Sequence, residues 1–211
     1  MKNTNKILIV RTDRVGDVVL TLPLIEAVKN YIPDSEIYFL ANDYTIDLIR
    51  GNKLIQEVFS IKERLNDNYD LLKKYKFDTV IIASPSFKIA LLFYLLRIRI
   101  RIGTGYRWYS FFFNKKQFDH RRFGNKHELE YNLNLLNSIN IFPEGIFKPE
   151  IRVPDIDKTN VEQKLFEKGI KSDDKLVIIH PGSGGSAMDL PFTSMRELVK
   201  NIDSLKSYRI C

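Results

Sequence analysis

Lys6-Ile-Leu-Ile-Val10 runs without a break into Arg11-Thr-Asp13-Arg14-Val-Gly16-Asp17, an apolar stretch that meets four charged side chains within seven residues. Ile7 to Val10 reads as a short strand covered on both faces, the pattern of a parallel sheet. Leu22, Ile25, Val28 and Ile32 then recur at helical spacing. Thr21 stands at the N-cap position, Pro23 fits a first turn and Pro33 closes the segment. A buried strand, a charged turn and a helix define an α/β fold, in which ligands bind at the carboxyl ends of the strands. Four charges at such a strand end need a reason to be there.

The alternation continues. Glu36 to Leu40 is a second strand, Asn42 to Ile49 a short helix stopped at Gly51, and Val58 to Ile61 a third strand. Leu65 to Tyr75 reads as a helix and Thr79 to Ala83 as a fourth strand, ending at Ser84-Pro85-Ser86, a second wall for a site beside the first turn. Phe87 to Ile98 is the most apolar segment, but a bilayer-spanning helix needs roughly 20 residues. It is therefore expected to be buried against the sheet, with a membrane-facing helix as the alternative.

The next thirty residues hold most of the excess positive charge. Arg97, Arg99, Arg101, Arg107, Lys115, Lys116, Arg121, Arg122 and Lys126 face Asp119 alone, and Tyr106, Trp108, Tyr109, Phe111, Phe112, Phe113, Phe118 and Phe123 lie among them. The plain reading is a solvated loop. So many rings beside cations favour a surface that meets an amphipathic, anionic partner. The net charge of +7 points the same way. Nucleic acid is disfavoured, since no recognised nucleic-acid motif is present.

His127 to Ile139 is an amphipathic helix, and Pro143, Pro149 and Pro154 mark a linker, so a first domain is expected over 1–154 and a second over 155–211. In the second, Asp157 to Lys168 reads as a helix stopped by Gly169, and Leu176 to Ile179 as a buried strand. His180-Pro-Gly182-Ser183-Gly184-Gly185-Ser186-Ala187 follows at once, a loop whose backbone N–H groups suit an anion. Thr193 to Ile202 is the next helix and Tyr208 to Cys211 the start of a strand. The single cysteine, Cys211, excludes an internal disulfide framework and a cysteine-ligated zinc site. A cytoplasmic protein without a cleavable signal peptide is expected. The first turn lacks a G-x-G-x-x-G pattern, which argues against dinucleotide oxidoreduction.

Two of these sites together resemble glycosyltransferase family 9, the heptosyltransferases of lipopolysaccharide core synthesis. One is Arg11-Thr-Asp13-Arg14-Val-Gly16-Asp17 with its continuation to Pro23; the other is His180 to Ala187, with Pro191 at the loop end. Arg101-Ile-Gly103-Thr-Gly-Tyr-Arg107 and His127-Glu128 resemble segments between them. The resemblance runs from Lys6 to the last residue, over the amino-terminal part of the family's pattern. It implies a GT-B architecture: a Rossmann-like acceptor-side domain, then the beginning of a donor-binding one.

The implied reaction is an inverting transfer of heptose, or a related sugar, from ADP-heptose to a lipid-linked core acceptor, with no metal and no resident cofactor. Asp17 becomes the general base, a role its chemistry suits; its plain alternative is a helix-terminus carboxylate. Arg11, Asp13, Arg14, Gly16, Arg107, Arg121 and Arg122 become acceptor-binding residues, and Gly182, Ser183, Gly184, Gly185 and Ser186 hold the donor phosphates. His127 is expected at a helix N-terminus, and His180 to orient the glycine loop.

The expected partners are an ADP-sugar, a phosphorylated lipid A and core acceptor, and peripherally the anionic inner face of the cytoplasmic membrane. Met188 and Leu190 stand where the family carries a cation and a tryptophan. A methionine cannot offset charge on a leaving diphosphate. The alternative is therefore a phosphoglycolipid-binding domain that does not turn over. An incomplete second sheet also predicts an open edge and exposed apolar surface, and with them poor solubility or a compensating partner chain.

Overall fold

Ile7, Leu8, Ile9 and Val10 form the middle of a six-stranded sheet because they are apolar on both sides, and the fold provides a layer for each side. The computed structural model describes residues 5–120, 124–182, 188–204 and, for the backbone, 209–210. Strand β1 (Lys6–Val10) pairs in parallel with β2 (Glu36–Ala41) and β4 (Thr79–Ile82). Outward lie β3 (Ile55–Ser60) beside β2, and β5 (Ile100–Thr104) and β6 (Lys115–Gln117) beyond β4, all parallel. The order β3-β2-β1-β4-β5-β6 reverses direction between β1 and β4. That reversal is the switch point of a doubly wound, Rossmann-like sheet, and it opens a crevice at the strands' carboxyl ends.

Alternate residues of β1 feed two cores. Ile7 and Ile9 join α2 (Leu22–Tyr31), α3 (Asp47–Arg50) and the helical turns after residue 128. Leu8 and Val10 join α4 (Leu65–Leu72), α5 (Phe87–Leu95) and the rings Tyr109, Phe112 and Phe113. Each fully buried large apolar side chain contributes about 1.5–3 kcal/mol, so this layered core stabilises the first unit by itself.

Three local readings change. Thr21 holds the position before α2, but its hydroxyl donates to the Asp17 carbonyl at 2.8 Å rather than capping α2, because the short helix α1 (Val15–Val19) ends immediately before it. The basic stretch after residue 97 is not a loop throughout. It supplies β5 and β6, and buries Tyr109, Phe112 and Phe113. The amphipathic segment from His127 divides into α6 (Glu128–Leu133) and a tighter 3-10 stretch, Asn134–Ile139.

Helix α5 buries Ile89, Ala90, Leu92 and Phe93 against the sheet, with Ser86 capping its start through Ile89 N–H. Its other face, with Phe87, Tyr94 and Leu95, is exposed. Among the described residues, no helix is long and apolar enough to cross a membrane.

The chain divides into two compact units, Met1–Val153 and Pro154–Cys211. The second holds α7 (Asp155–Glu167), β7 (Leu176–Val177), α8 (Phe192–Ser204) and β8 (Arg209–Ile210), with β7 and β8 paired in parallel. After α7, Gly169 adopts φ +75° and its N–H and that of Ile170 close onto the Phe166 and Leu165 carbonyls. That left-handed termination favours glycine.

Candidate active site

The charges of the first turn are organised by one buried cation. Arg11, only 3% exposed, continues the β1 ladder through its N–H to the Leu40 carbonyl and turns its side chain inward. Nε donates to Asp13 Oδ1 at 2.6 Å, and one terminal nitrogen lies 2.9 Å from Asp17 Oδ1. The other donates to Glu128 Oε1 at 3.0 Å, Asn132 Oδ1 at 3.2 Å and the Ala83 carbonyl at 3.3 Å. A guanidinium out of water needs such compensation, and its planar fork can serve several carboxylates at once. Three carboxylates surround one cation, so the cluster is net acidic.

Asn132, fully buried, ties this cluster to the α1–α2 junction by donating to the Leu20 carbonyl at 3.0 Å and Thr21 Oγ1 at 3.2 Å. From the β2 side, Asn42 Nδ2 donates to the Thr12 carbonyl and Tyr44 OH to the Asp13 carbonyl. The turn is thus clamped from the β2 side and from α6. Asp17 sits in the first turn of α1 with its side chain 33% exposed, so one carboxylate is both oriented by Arg11 and open to a reactant. Arg14 and Gly16 are exposed on the same turn, and a Cβ at Gly16 would meet nothing within 4 Å.

On one side of the turn lies a cavity of about 400 Å³ lined by Ala83, Pro85, Thr104, Tyr106, Arg107, Asp119 and His120, among others. It shares Ala83 with the Arg11 cluster. The Tyr106 and His120 rings pack at 4.1 Å between centroids. Asp119 accepts hydrogen bonds from Gln117, Asn134 and Lys126 at 2.9–3.1 Å. Burial pushes its carboxyl upward, but those three bonds outweigh burial and hold it below the usual carboxylate range. A smaller cavity of about 170 Å³, lined by Thr12, Asn42, Lys62, Asn68, Ser86 and Lys88, among others, lies on the other side.

Arg11, Asp13 and Asp17 thus meet in one cluster, Arg14 and Gly16 flank it, and Arg107 lines the larger cavity. Arg11, expected to line the acceptor site, is instead the buried post that holds the carboxylates, because its donors face inward. Arg121, Arg122, Ser183, Gly184, Gly185 and Ser186 lie outside the described residues. Gly182 and the exposed His180 belong to the second unit. His127 is the N-cap of α6: its Nδ1 accepts from Leu129 N–H at 3.3 Å, while Glu130 accepts from the His127 N–H at 2.6 Å.

Sequence reasoning missed the parts played by Glu128, Asn132, Asp119, Tyr106 and His120. Glu128 and Asn132 stand four apart, which puts them on one helix face. Among the described residues, no group of three or more His, Cys, Asp or Glu is placed to hold a metal ion.

The sequence model of glycosyltransferase family 9 (heptosyltransferase) matches residues 69–210. A Haemophilus influenzae protein provisionally named a glycosyltransferase is 26% identical over 208 residues, covering 93% of this chain and 60% of that protein. The solved structure of a family 9 glycosyltransferase from Veillonella parvula superposes with TM-score 0.84 at 19% identity, over 100% of this chain and 62% of that one. ADP-heptose LPS heptosyltransferase II of Escherichia coli gives TM-score 0.79 at 18% identity, over 97% and 63%. These structures share the fold. The chain spans less than two thirds of the length of each of these three relatives.

Proposed function

Because the chain belongs to glycosyltransferase family 9, we propose that it serves the transfer of heptose, or a related sugar, from an ADP-sugar to a hydroxyl of the phosphorylated, lipid-linked lipopolysaccharide core. The observation that carries this reading is the Arg11–Asp17 pair at the switch point, 2.9 Å apart, with Asp17 still reaching solvent. In the proposed step an acceptor hydroxyl oxygen forms a bond to the anomeric carbon as the bond from that carbon to the ADP oxygen breaks. The hydroxyl proton passes to the Asp17 carboxylate, and the leaving diphosphate departs from the opposite face with inversion. Arg11 fixes the carboxylate's direction, which is worth most when the reacting atoms are already aligned.

On this reading, the cavity beside Arg107 receives the acceptor, with Arg107 forking a phosphate and the packed Tyr106 and His120 rings walling the sugar. The donor's phosphates go to the second unit's loop from Gly182 to Ser186. The names of relatives support both substrates: ADP-heptose LPS heptosyltransferase II for the donor, and lipopolysaccharide heptosyltransferase 3 of Escherichia coli, 29% identical over 115 residues, for the acceptor.

The test is sugar transfer from ADP-heptose to a heptose-deficient core acceptor, with wild type beside Asp17→Asn. Transfer should fall by about 10²–10⁴, with acceptor binding kept. Undiminished transfer by Asp17→Asn rejects the base. A second reading, recognition of phosphoglycolipid without turnover, draws on Met188, which is fully exposed where the family's pattern carries a cation. It requires acceptor binding that depends on Arg107, with no transfer by the wild type.

A further inference from the structure

The outer face of α5 and the segment after β5 form an apolar surface that the proposed chemistry does not use. Phe87 stacks on Trp108 at 5.1 Å and contacts Phe112 at 6.0 Å; Phe112 in turn contacts Phe111 at 4.3 Å and Tyr94 at 5.1 Å. Trp108 is 73% exposed and Phe111 63%, with Phe87, Tyr94 and Leu95 exposed beside them. A contiguous ring surface of this kind on a soluble face marks an interaction site.

The charge around it is one-sided. Residues 87–118 contain seven cations, Lys88, Arg97, Arg99, Arg101, Arg107, Lys115 and Lys116, and not one Asp or Glu. Arg97 and Arg99 are exposed directly after α5. Asn114 donates to the Arg99 carbonyl at 2.7 Å and exchanges backbone and side-chain bonds with Arg101, which brings the exposed Lys115 alongside. Arg101 itself is spent on the frame, donating to the Phe112 carbonyl at 2.7 Å and to that of Ile98, with its guanidinium 5.6 Å from the Tyr94 ring centroid.

We infer that this face docks on an anionic phospholipid bilayer, with Trp108, Phe111 and Tyr94 at the headgroup boundary and Arg97, Arg99 and Lys115 against the lipid phosphates. Trp and Tyr suit that boundary because each carries an apolar body and a polar tip. The surrounding cations are drawn to the same surface. A second copy of the chain fits worse, because a self-complementary contact would press together two copies of a segment, residues 87–118, that carries seven cations and no Asp or Glu.

The surface also begins at the rim of the proposed acceptor cavity. Trp108 follows Arg107, and Tyr109 OH donates to the carbonyl of Pro85 at 2.8 Å, with Arg107 and Pro85 both lining that cavity. This last point alone rests on the proposed acceptor: a sugar anchored in the bilayer would rise beside the docked face.

The test is co-sedimentation of the 211-residue chain, without donor or acceptor, with phosphatidylethanolamine vesicles containing phosphatidylglycerol and with phosphatidylcholine vesicles. Binding should favour the anionic vesicles and weaken with salt. The double variant Trp108→Ser/Phe111→Ser should lower the partition coefficient roughly tenfold or more. Arg99→Gln and Lys115→Gln should each cost about fivefold, all with unchanged thermal unfolding.

Equal binding to both vesicle types, or a double variant that binds like wild type, overturns the proposal. So does concentration-dependent self-association, or binding to single-stranded RNA, that the same variants abolish while vesicles are ignored. Sugar transfer to a deacylated, soluble acceptor should be unchanged in Trp108→Ser/Phe111→Ser. Absence of that transfer in the wild type would reject the transferase reading and leave the vesicle result to decide docking.

Discussion

The two units of this chain are built from the same alternation of strand and helix, yet among the described residues only the first encloses a core. In Met1–Val153, β1, β2 and β4 are buried almost throughout and side chains such as Phe39, Phe93 and Leu24 are fully enclosed. In Pro154–Cys211, α7 and α8 bury no side chain among the described residues, and Phe166 and Phe192 stand exposed. Strand count explains the difference. A six-stranded sheet covered on both faces encloses two cores, whereas an isolated two-stranded sheet is marginal in water. The clamped turn at Asp17 therefore rests on a rigid support.

The widest gap between the units should appear under limited proteolysis. The first unit should persist as a fragment ending near residue 153 while the second is cut orders of magnitude faster, following their opening free energies. Equal resistance would break the comparison. Within the first unit, Arg11→Met removes the cation that three carboxylates share, and should cost about 3–5 kcal/mol of stability by chemical denaturation. A loss below about 1 kcal/mol would show that the carboxylates relax into solvent unaided.

A smaller effect concerns pH. The Asp119 carboxyl is held below its ordinary value of 3.8 in the folded state, so its contribution to stability is complete above that value. It is lost as the pH falls through the depressed folded value. Asp119→Asn should flatten the acid limb of the first unit's unfolding and leave neutral pH nearly unchanged; an unaltered limb contradicts the assignment. Smallest in stability is Gly16→Ala. A Cβ there meets open space within α1, so folding should shift by less than about 1 kcal/mol. Acceptor binding should nevertheless weaken if the substrate approaches that backbone, and unchanged binding would exclude such an approach.

The central strands were legible because their signal is local. Ile7 to Val10 and Thr79 to Ile82 are apolar on both faces and could be little else. Strand β5 was missed, although Ile100-Arg101-Ile102 within it alternates with the period of two that a strand requires. A count of charge drew attention to the arginines and away from the isoleucines between them. Arg11 was misjudged for a related reason: arginine is ordinarily exposed. Its burial depends on Glu128 and Asn132, which lie 117 and 121 residues away in sequence. No local pattern reports a partner at that distance. The motif identified the carboxylates, and only the fold revealed the cation beneath them.

The most direct test of the account is hydrogen exchange of the 211-residue chain with and without a phosphorylated, heptose-deficient core oligosaccharide. The account predicts added protection at residues 11–20, 104–107 and 119–120, with residues 155–204 unchanged. Protection confined to the second unit, or none anywhere at saturating oligosaccharide, would contradict an acceptor site at the first turn.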